Sequence, residues 1–250
     1  MTAQTSIAVV TAIPQEFELL AVWMGGDAAG RHHPMRGVID GVSIAMTTCG
    51  IGKVNAASAA TQLIERFSPR TLVFSGVAGG LDPSLGIGDV VIGAKAIQHD
   101  AGVLGPDGLE PYQAGHIPFF NPTDRLGFEP SPSLLARCRD RLEGFSLEPF
   151  SDGRDTRIVF GTILTGDQYL ASDAERERLR RRFGGHAVDM ESAAVAQVAD
   201  QRGLDHLVIR SLSDLAGADS DHEFTRFLDH VAANSADTLR HLLPALVASG

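Results

Sequence analysis

The sequence is poor in the features that mark specialised protein classes. Its two cysteines, Cys49 and Cys138, lie far apart with no CxxC spacing, which argues against a disulfide framework or a thiolate zinc site and reads as two free thiols. The nine histidines form neither HExxH nor HxH followed by acids, and the adjacent His32 and His33 point apart in a polar stretch, so no metal site is expected. No stretch approaches the ~18 apolar residues of a membrane span. Met1 to Ser6 lacks the basic segment and apolar core of a secretory signal. A cytoplasmic protein without a membrane partner is the expectation. Positive charge is scarce, 21 Lys and Arg against 31 Asp and Glu for a net charge of -10; such a field repels phosphate backbones and disfavours nucleic-acid binding. There is no nucleophile elbow for acyl transfer, no internal repeat and no low-complexity tract. One domain over residues 1–250 follows.

What is present is an ordinary globular composition, with 44% hydrophobic residues, 27 glycines and 21% charged residues, in a chain long enough to bury a large core. Continuous apolar runs alternate with helical patterns, the signature of an α/β protein. Ile7 to Ala12 reads as a buried strand feeding a helix with Pro14 at its first position. Asp40-Gly41 between alternating residues predicts a hairpin, so part of the sheet is antiparallel. A helix over Val54 to Phe67 precedes the stretch Thr71 to Gly80, a buried strand running into a glycine turn. Asp89 to Ile92 and Ile158 to Leu164 are further strands, as is Leu207 to Asp214, which ends in a polar cluster. Gln98 to Pro132 is rich in Gly and Pro and aperiodic, which suits a lid, an oligomer contact or a disordered segment. Helices are expected over Ser133 to Leu142, from a capping box at Ser172 and Glu175 to Phe183, from Glu191 to Arg202, and from a second box at Ser220 and Glu223 to about Val247. The arginines between 176 and 182 are interleaved with acids and read as a solvated face.

Three acids, Glu16, Glu191 and Asp214, fall at strand ends or the helix starts just after them, the positions that converge on a ligand crevice in open α/β sheets. Each alone has a plain explanation: Glu16 and Glu191 as first-turn acids favoured by the helix dipole, Asp214 as a cap. Together they gain weight from Arg210, Ser213 and Tyr169 at the same edge. The glycines at 50 and 52 fit no Walker or dinucleotide fingerprint and serve either a tight turn or close approach of a ligand. His99-Asp100 reads as a satisfied structural pair.

In order along the chain, Gly50-Ile51-Gly52-Lys53-Val54, Gly76-Val77-Ala78-Gly79-Gly80-Leu81, Thr165-Gly166-Asp167, Asp189-Met190-Glu191 and Ser213-Asp214 resemble the bacterial and plant 5'-methylthioadenosine/S-adenosylhomocysteine nucleosidases, a branch of the purine nucleoside phosphorylase superfamily. The resemblance covers more than half the chain and matches poorly from about 102 to 155. It implies a three-layer α/β/α fold around a central mixed, partly barrel-like sheet, hydrolysis of the bond between adenine and ribose, a nucleoside as the small-molecule partner, no cofactor, and a homodimer. Asp214 would protonate the purine at N7, held neutral by burial and by acids such as Glu191. Glu16, assisted by Arg210, would activate the water. Glu191 would hold the ribose hydroxyls over Met190, Tyr169 would stack on the base, and the backbone at Leu170 would read its edge. Ile13, Val77, Ala78, Gly79, Asp189, Ser213 and Phe224 would complete the substrate site. Val77 stands where serine is frequent, Asp189 for a usual glutamate and Ile13 for a methionine, and Phe74 replaces the arginine common in phosphorylases. The open alternatives are phosphorolysis with a partner's Arg36, another 5'-substituted adenosine as substrate, and a non-catalytic nucleoside-binding module. Pro118 or Phe119 would be the residue lent to a partner's 5' pocket.

Overall fold

In the computed structural model, which describes residues 5–26 and 33–247, ten strands and six helices follow one another, alternating except where β2 and β3 and then β4 to β7 run in succession. Met1 to Gln4 and His32 lie outside the described residues. The strands are β1 (Ile7–Thr11), β2 (Met35–Ile39), β3 (Val42–Thr48), β4 (Thr71–Gly80), β5 (Val90–Gln98), β6 (Gly102–Gly105), β7 (Gly108–Pro111), β8 (Ile158–Thr165), β9 (Ala187–Asp189) and β10 (Asp205–Asp214). The helices are α1 (Pro14–Trp23), α2 (Lys53–Phe67), α3 (Pro132–Leu142), α4 (Asp173–Phe183), α5 (Ser192–Gln201) and α6 (Ser220–Val247). No described helix is long and apolar enough to cross a membrane.

Eight strands form one mixed sheet in the order β10-β5-β8-β9-β4-β1-β3-β2, and β10 also pairs with β4. That extra pairing closes β4, β9, β8, β5 and β10 into a five-stranded barrel, from which β1, β3 and β2 extend as an open wing. Side-chain alternation along the strands separates two cores. Ile7, Val9, Val73 and Ile209 face α1, α3 and α6, whereas Ala8, Val10, Leu72, Phe74 and Val208 face α2 and α5. Alanines at 56, 59, 60, 194 and 199 let α2 and α5 approach that second face closely.

Three local expectations change. The glycines after Phe74 form no turn: β4 continues as strand to Gly80, because β10 pairs beside it as far as Gly79 and β9 takes up Gly79 and Gly80. The segment after Gln98 is not structureless, since the β6 and β7 hairpin occupies its first part. The capping box at α6 does not form; Ser220 donates to the Gly217 carbonyl and Glu223 accepts from the Leu215 N–H. The box at α4 does use Ser172 as acceptor for the Glu175 N–H. Its arginines are spent on ion pairs, Arg176 with Asp173, Arg178 with Glu175 and Arg181 with Glu177. Both cysteines are free.

Candidate active site

The strand ends meet at one cleft of about 760 Å³, counted to its open mouth. Common strand polarity does not bring them together. β9 pairs antiparallel to β4 through Gly79↔Val188 and Gly80↔Ala187, so the chain leaving Asp189 runs back along β4 toward Ala78 and Val77. β10, parallel to β4, delivers Asp214 beside Gly79 from the other side. Barrel closure therefore assembles the site.

Every residue that the sequence assigned to substrate lines this cleft: Ile13, Val77, Ala78, Gly79, Tyr169, Leu170, Asp189, Met190, Glu191, Ser213 and Phe224, together with Glu16 and Asp214. Ala12, Ile51, Gln168 and Val188 also line it and were not assigned; Ile51 lies inside a quoted motif and Gln168 directly follows one, and that adjacency is the only signal for them. Arg210 does not reach the surface of the cleft. Among the described residues it is the largest fully buried side chain, and it lies immediately behind the wall.

Arg210 organises the anionic end. Its Nε donates to Asp189 Oδ2 at 2.7 Å, its Nη2 to Glu191 Oε2 at 3.2 Å, and its Nη1 lies 3.7 Å from Glu16 Oε1 without a hydrogen bond of its own. The guanidinium also stacks over the Phe74 ring, 4.0 Å from the centroid. Phe74 is thus the platform beneath an arginine. Three carboxylates share a single buried cation, and burial disfavours the ionised forms of Glu16 and Glu191. Desolvation accordingly raises the Glu16 pKa against the pull of Arg210, and pushes Glu191 up to about 7, with Arg210 again opposing and Asp189 adding to the rise.

The plain alternative for Glu191 does not hold. It occupies the N-cap of α5 without capping it. Asp189 Oδ1 instead accepts from the Glu191 and Ser192 N–H groups, and Thr165 Oγ1 from that of Ala193. With the helix end satisfied by others, the Glu191 carboxylate is left for the cleft. Asp189, by contrast, is committed to Arg210, Thr165, Ser192 and the α5 backbone, so its side chain shapes the wall. Glu16 combines both roles, accepting from the N–H groups of Ala12 and Ile13 at 2.6 and 3.1 Å through Oε2, and from Val77 at 2.9 Å through Oε1. Gly76 makes room for it, since a Cβ there would overlap the Glu16 carboxyl and the Arg210 guanidinium.

Asp214 stands apart from that cluster. Its Oδ1 accepts from the Ala216 N–H at 2.9 Å and its Oδ2 from Ser213 Oγ at 2.8 Å, so the turn-cap reading is realised as well. Burial raises its pKa, and the bonds from Ser213, Ala216 and Ser220 work against that rise. Glu191 is not a cause, contrary to the sequence expectation; the desolvated pocket alone accounts for it. His99 and Asp100 do not pair. Asp100 binds Lys53 Nζ at 2.7 Å, and the buried His99 ring packs on Gly166, its pKa lowered by burial.

Because the Glu191 pKa is raised in the folded protein, its contribution to stability is full below the ordinary carboxylate range and is lost as pH rises through about 7. Glu191→Gln removes that loss while leaving Arg210 with Asp189 and Glu16. The variant is expected to melt close to wild type at pH 4.5 and roughly 5 °C higher at pH 8. Thermal melts at the two pH values check this; a variant less stable than wild type at pH 8 contradicts it.

The sequence matches the Phosphorylase superfamily over residues 6–246. A 5'-methylthioadenosine/S-adenosylhomocysteine nucleosidase of Mycobacterium bovis is 48% identical over 254 residues, which span 97% of this chain and 98% of the relative. The 5'-methylthioadenosine/S-adenosylhomocysteine nucleosidase of Neisseria meningitidis, solved in complex with methylthio-immucillin-A, superposes with a TM-score of 0.78 at 31% identity, over 96% of this chain and 98% of that one. The futalosine hydrolase of Helicobacter pylori is alike in fold, with a TM-score of 0.78 at 27% identity over 96% and 97% of the two chains.

Proposed function

The chain belongs to the phosphorylase superfamily and, within it, to the 5'-methylthioadenosine/S-adenosylhomocysteine nucleosidases, and from that membership we propose how its residues divide the reaction. It is an N-glycosyl hydrolase of 5'-methylthioadenosine and S-adenosylhomocysteine. The observation that carries the assignment of roles is the separation of two kinds of acid along β4. Glu16 meets that strand at Val77 and Asp214 at Gly79, a step of two residues, or about 7 Å at the rise of a strand.

Nucleoside cleavage passes through an oxocarbenium-like sugar, so it needs a proton at the leaving base and an anion serving the water, with room for that water between them. Asp214, held protonated by burial, gives its proton to adenine N7. The bond from C1' to N9 breaks with its electron pair going to the base. Glu16, opposite, takes a proton from the water whose oxygen bonds to C1', and the Nη1 donor of Arg210 faces the same carboxyl oxygen. Glu191 receives the 2'- and 3'-hydroxyls, with Met190 under the ribose and the Gly52 N–H fixing its other oxygen at 2.8 Å. Tyr169 and Leu170 hold the base, and Ile13, Val77 and Phe224 close around the sugar and its 5' substituent. Adenine and free sugar leave; the proton gained by Glu16 and the one lost by Asp214 balance through solvent.

A second copy of the chain completes the 5' end of this reading. Phe119 and Phe120 are 83% and 80% exposed, a large apolar loss for two neighbouring rings unless another surface covers them, and Phe119 is the residue we assign to the partner's pocket. Sedimentation is expected to show a dimer; a fully active monomer contradicts that assignment.

The likeness in fold to a futalosine hydrolase leaves the preferred 5' group as the point to test. Incubation with 5'-methylthioadenosine, S-adenosylhomocysteine and futalosine separately, following base release, is expected to give the largest kcat/KM with one of the two adenosines. Cleavage of futalosine alone overturns the assignment of substrate.

A further inference from the structure

Helix α2 begins without a cap of its own. Its N-cap is Gly52, which has no side chain to offer, and its first turn holds no acid, so its free N–H groups need acceptors from elsewhere. Two carboxylates supply them. The Gly52 N–H donates to Glu191 Oε1 at 2.8 Å and the Lys53 N–H to Asp167 Oδ1 at 2.9 Å. Gly52 adopts φ +101°, and a Cβ there would stand 3.3 Å from the same Asp167 oxygen, so the backbone comes this close only as glycine.

Asp167 is held in turn. Its N–H donates to Asp100 Oδ2 at 3.1 Å, while Lys53 Nζ bridges Asp100 Oδ1 at 2.7 Å and Asp167 Oδ2 at 3.5 Å. Behind it, the His99 ring packs on Gly166 and leaves no space for a side chain. The next residues along the chain, Gln168, Tyr169 and Leu170, form one wall of the cleft, and Ile51, just before Gly52, forms another. Asp167 therefore joins the loop bearing the base wall to the helix end that holds Glu191.

We infer that Asp167 is a positioning residue, which sets the loop of Tyr169 and Leu170 in register with Glu191 and so governs affinity for the nucleoside. It does not line the cleft. The ion pair with Lys53 Nζ is long, 3.5 Å, and half-exposed at Asp167, so it adds little; the bond to the Lys53 N–H, charge-assisted and directional, is the working contact. The inference rests on the reading of Tyr169 and Leu170 as the base-binding wall.

The test compares Asp167→Ala and Asp167→Asn by calorimetric titration with adenine and by kinetics on 5'-methylthioadenosine. The alanine variant is expected to raise the adenine Kd and the KM about tenfold, with kcat within about twofold of wild type. Asparagine keeps an oxygen that accepts from Lys53 and is expected to restore most of the affinity. An alanine variant with wild-type adenine affinity, whatever its melting temperature, overturns the inference, as does an asparagine variant no better than alanine. Adenine affinity is read without turnover, so a wild-type protein that bound adenine and left the nucleoside intact would sink the hydrolytic reading while the two variants still decided this one.

Discussion

Asp214→Asn is expected to lower kcat by on the order of 10³, with KM within about threefold of wild type, because general acid catalysis contributes about 10²–10⁴. Asparagine keeps an oxygen for the Ala216 N–H and can still donate to N7 from its amide, so binding survives. It cannot transfer a proton, so the base leaves as an anion. The same reasoning fixes the alkaline limb of the wild-type profile. Burial raises the Asp214 pKa, the protonated form is the active one, and activity is lost as pH rises through the folded value. In the asparagine variant that limb disappears from the residual rate. Turnover near wild type in the variant would remove Asp214 from the role of acid.

Glu16→Gln is expected to be the second severe loss, lowering kcat/KM by about 10²–10⁴ while the Kd for adenine stays within about twofold, because Glu16 serves the water and not the base. Glutamine still accepts from Ala12 and Ile13, which keeps the loop in place. It has no site for the water's proton. The working form here is the anion, so the acid limb reports Glu16: burial raises its pKa, and activity falls as pH drops through that value. Glu191 protonates in the same direction with its pKa pushed up to about 7; its loss appears in KM, since it binds hydroxyls. A glutamine variant that lost adenine affinity and kept its turnover would reverse the two roles.

Most of this was legible in the sequence because the chemistry sits where local signals are strong. Pro14 at the start of α1, Asp40-Gly41 in the hairpin and Ser172 at the start of α4 each act through neighbours in the chain, so each was readable. The acids were readable as acids at strand ends. Their convergence was anticipated, yet its cause was hidden. The antiparallel pairing of β9 with β4 and the closure of β10 onto β4 depend on residues more than a hundred positions apart, and no local pattern encodes them. The same limit explains Asp189. From the sequence it is one more acid beside Glu191, whereas in the fold it accepts from the first N–H groups of α5 and holds Arg210, so the Glu191 side chain is not needed as the helix cap. The glycines of β4 misled for a related reason. They suggest a turn locally, but in the fold Gly76 leaves room for Glu16 and Arg210, Gly79 for Asp214, and Gly80 for Leu212 and Leu215 against the strand backbone.

The claim that water is the nucleophile is tested most directly by running the reaction on 5'-methylthioadenosine in ¹⁸O-labelled water with phosphate present and analysing the sugar by mass spectrometry. The account predicts free sugar carrying one ¹⁸O at C1', formed at the same rate when phosphate is omitted. A sugar 1-phosphate, or a rate that vanishes without phosphate, would contradict it and take the water from Glu16.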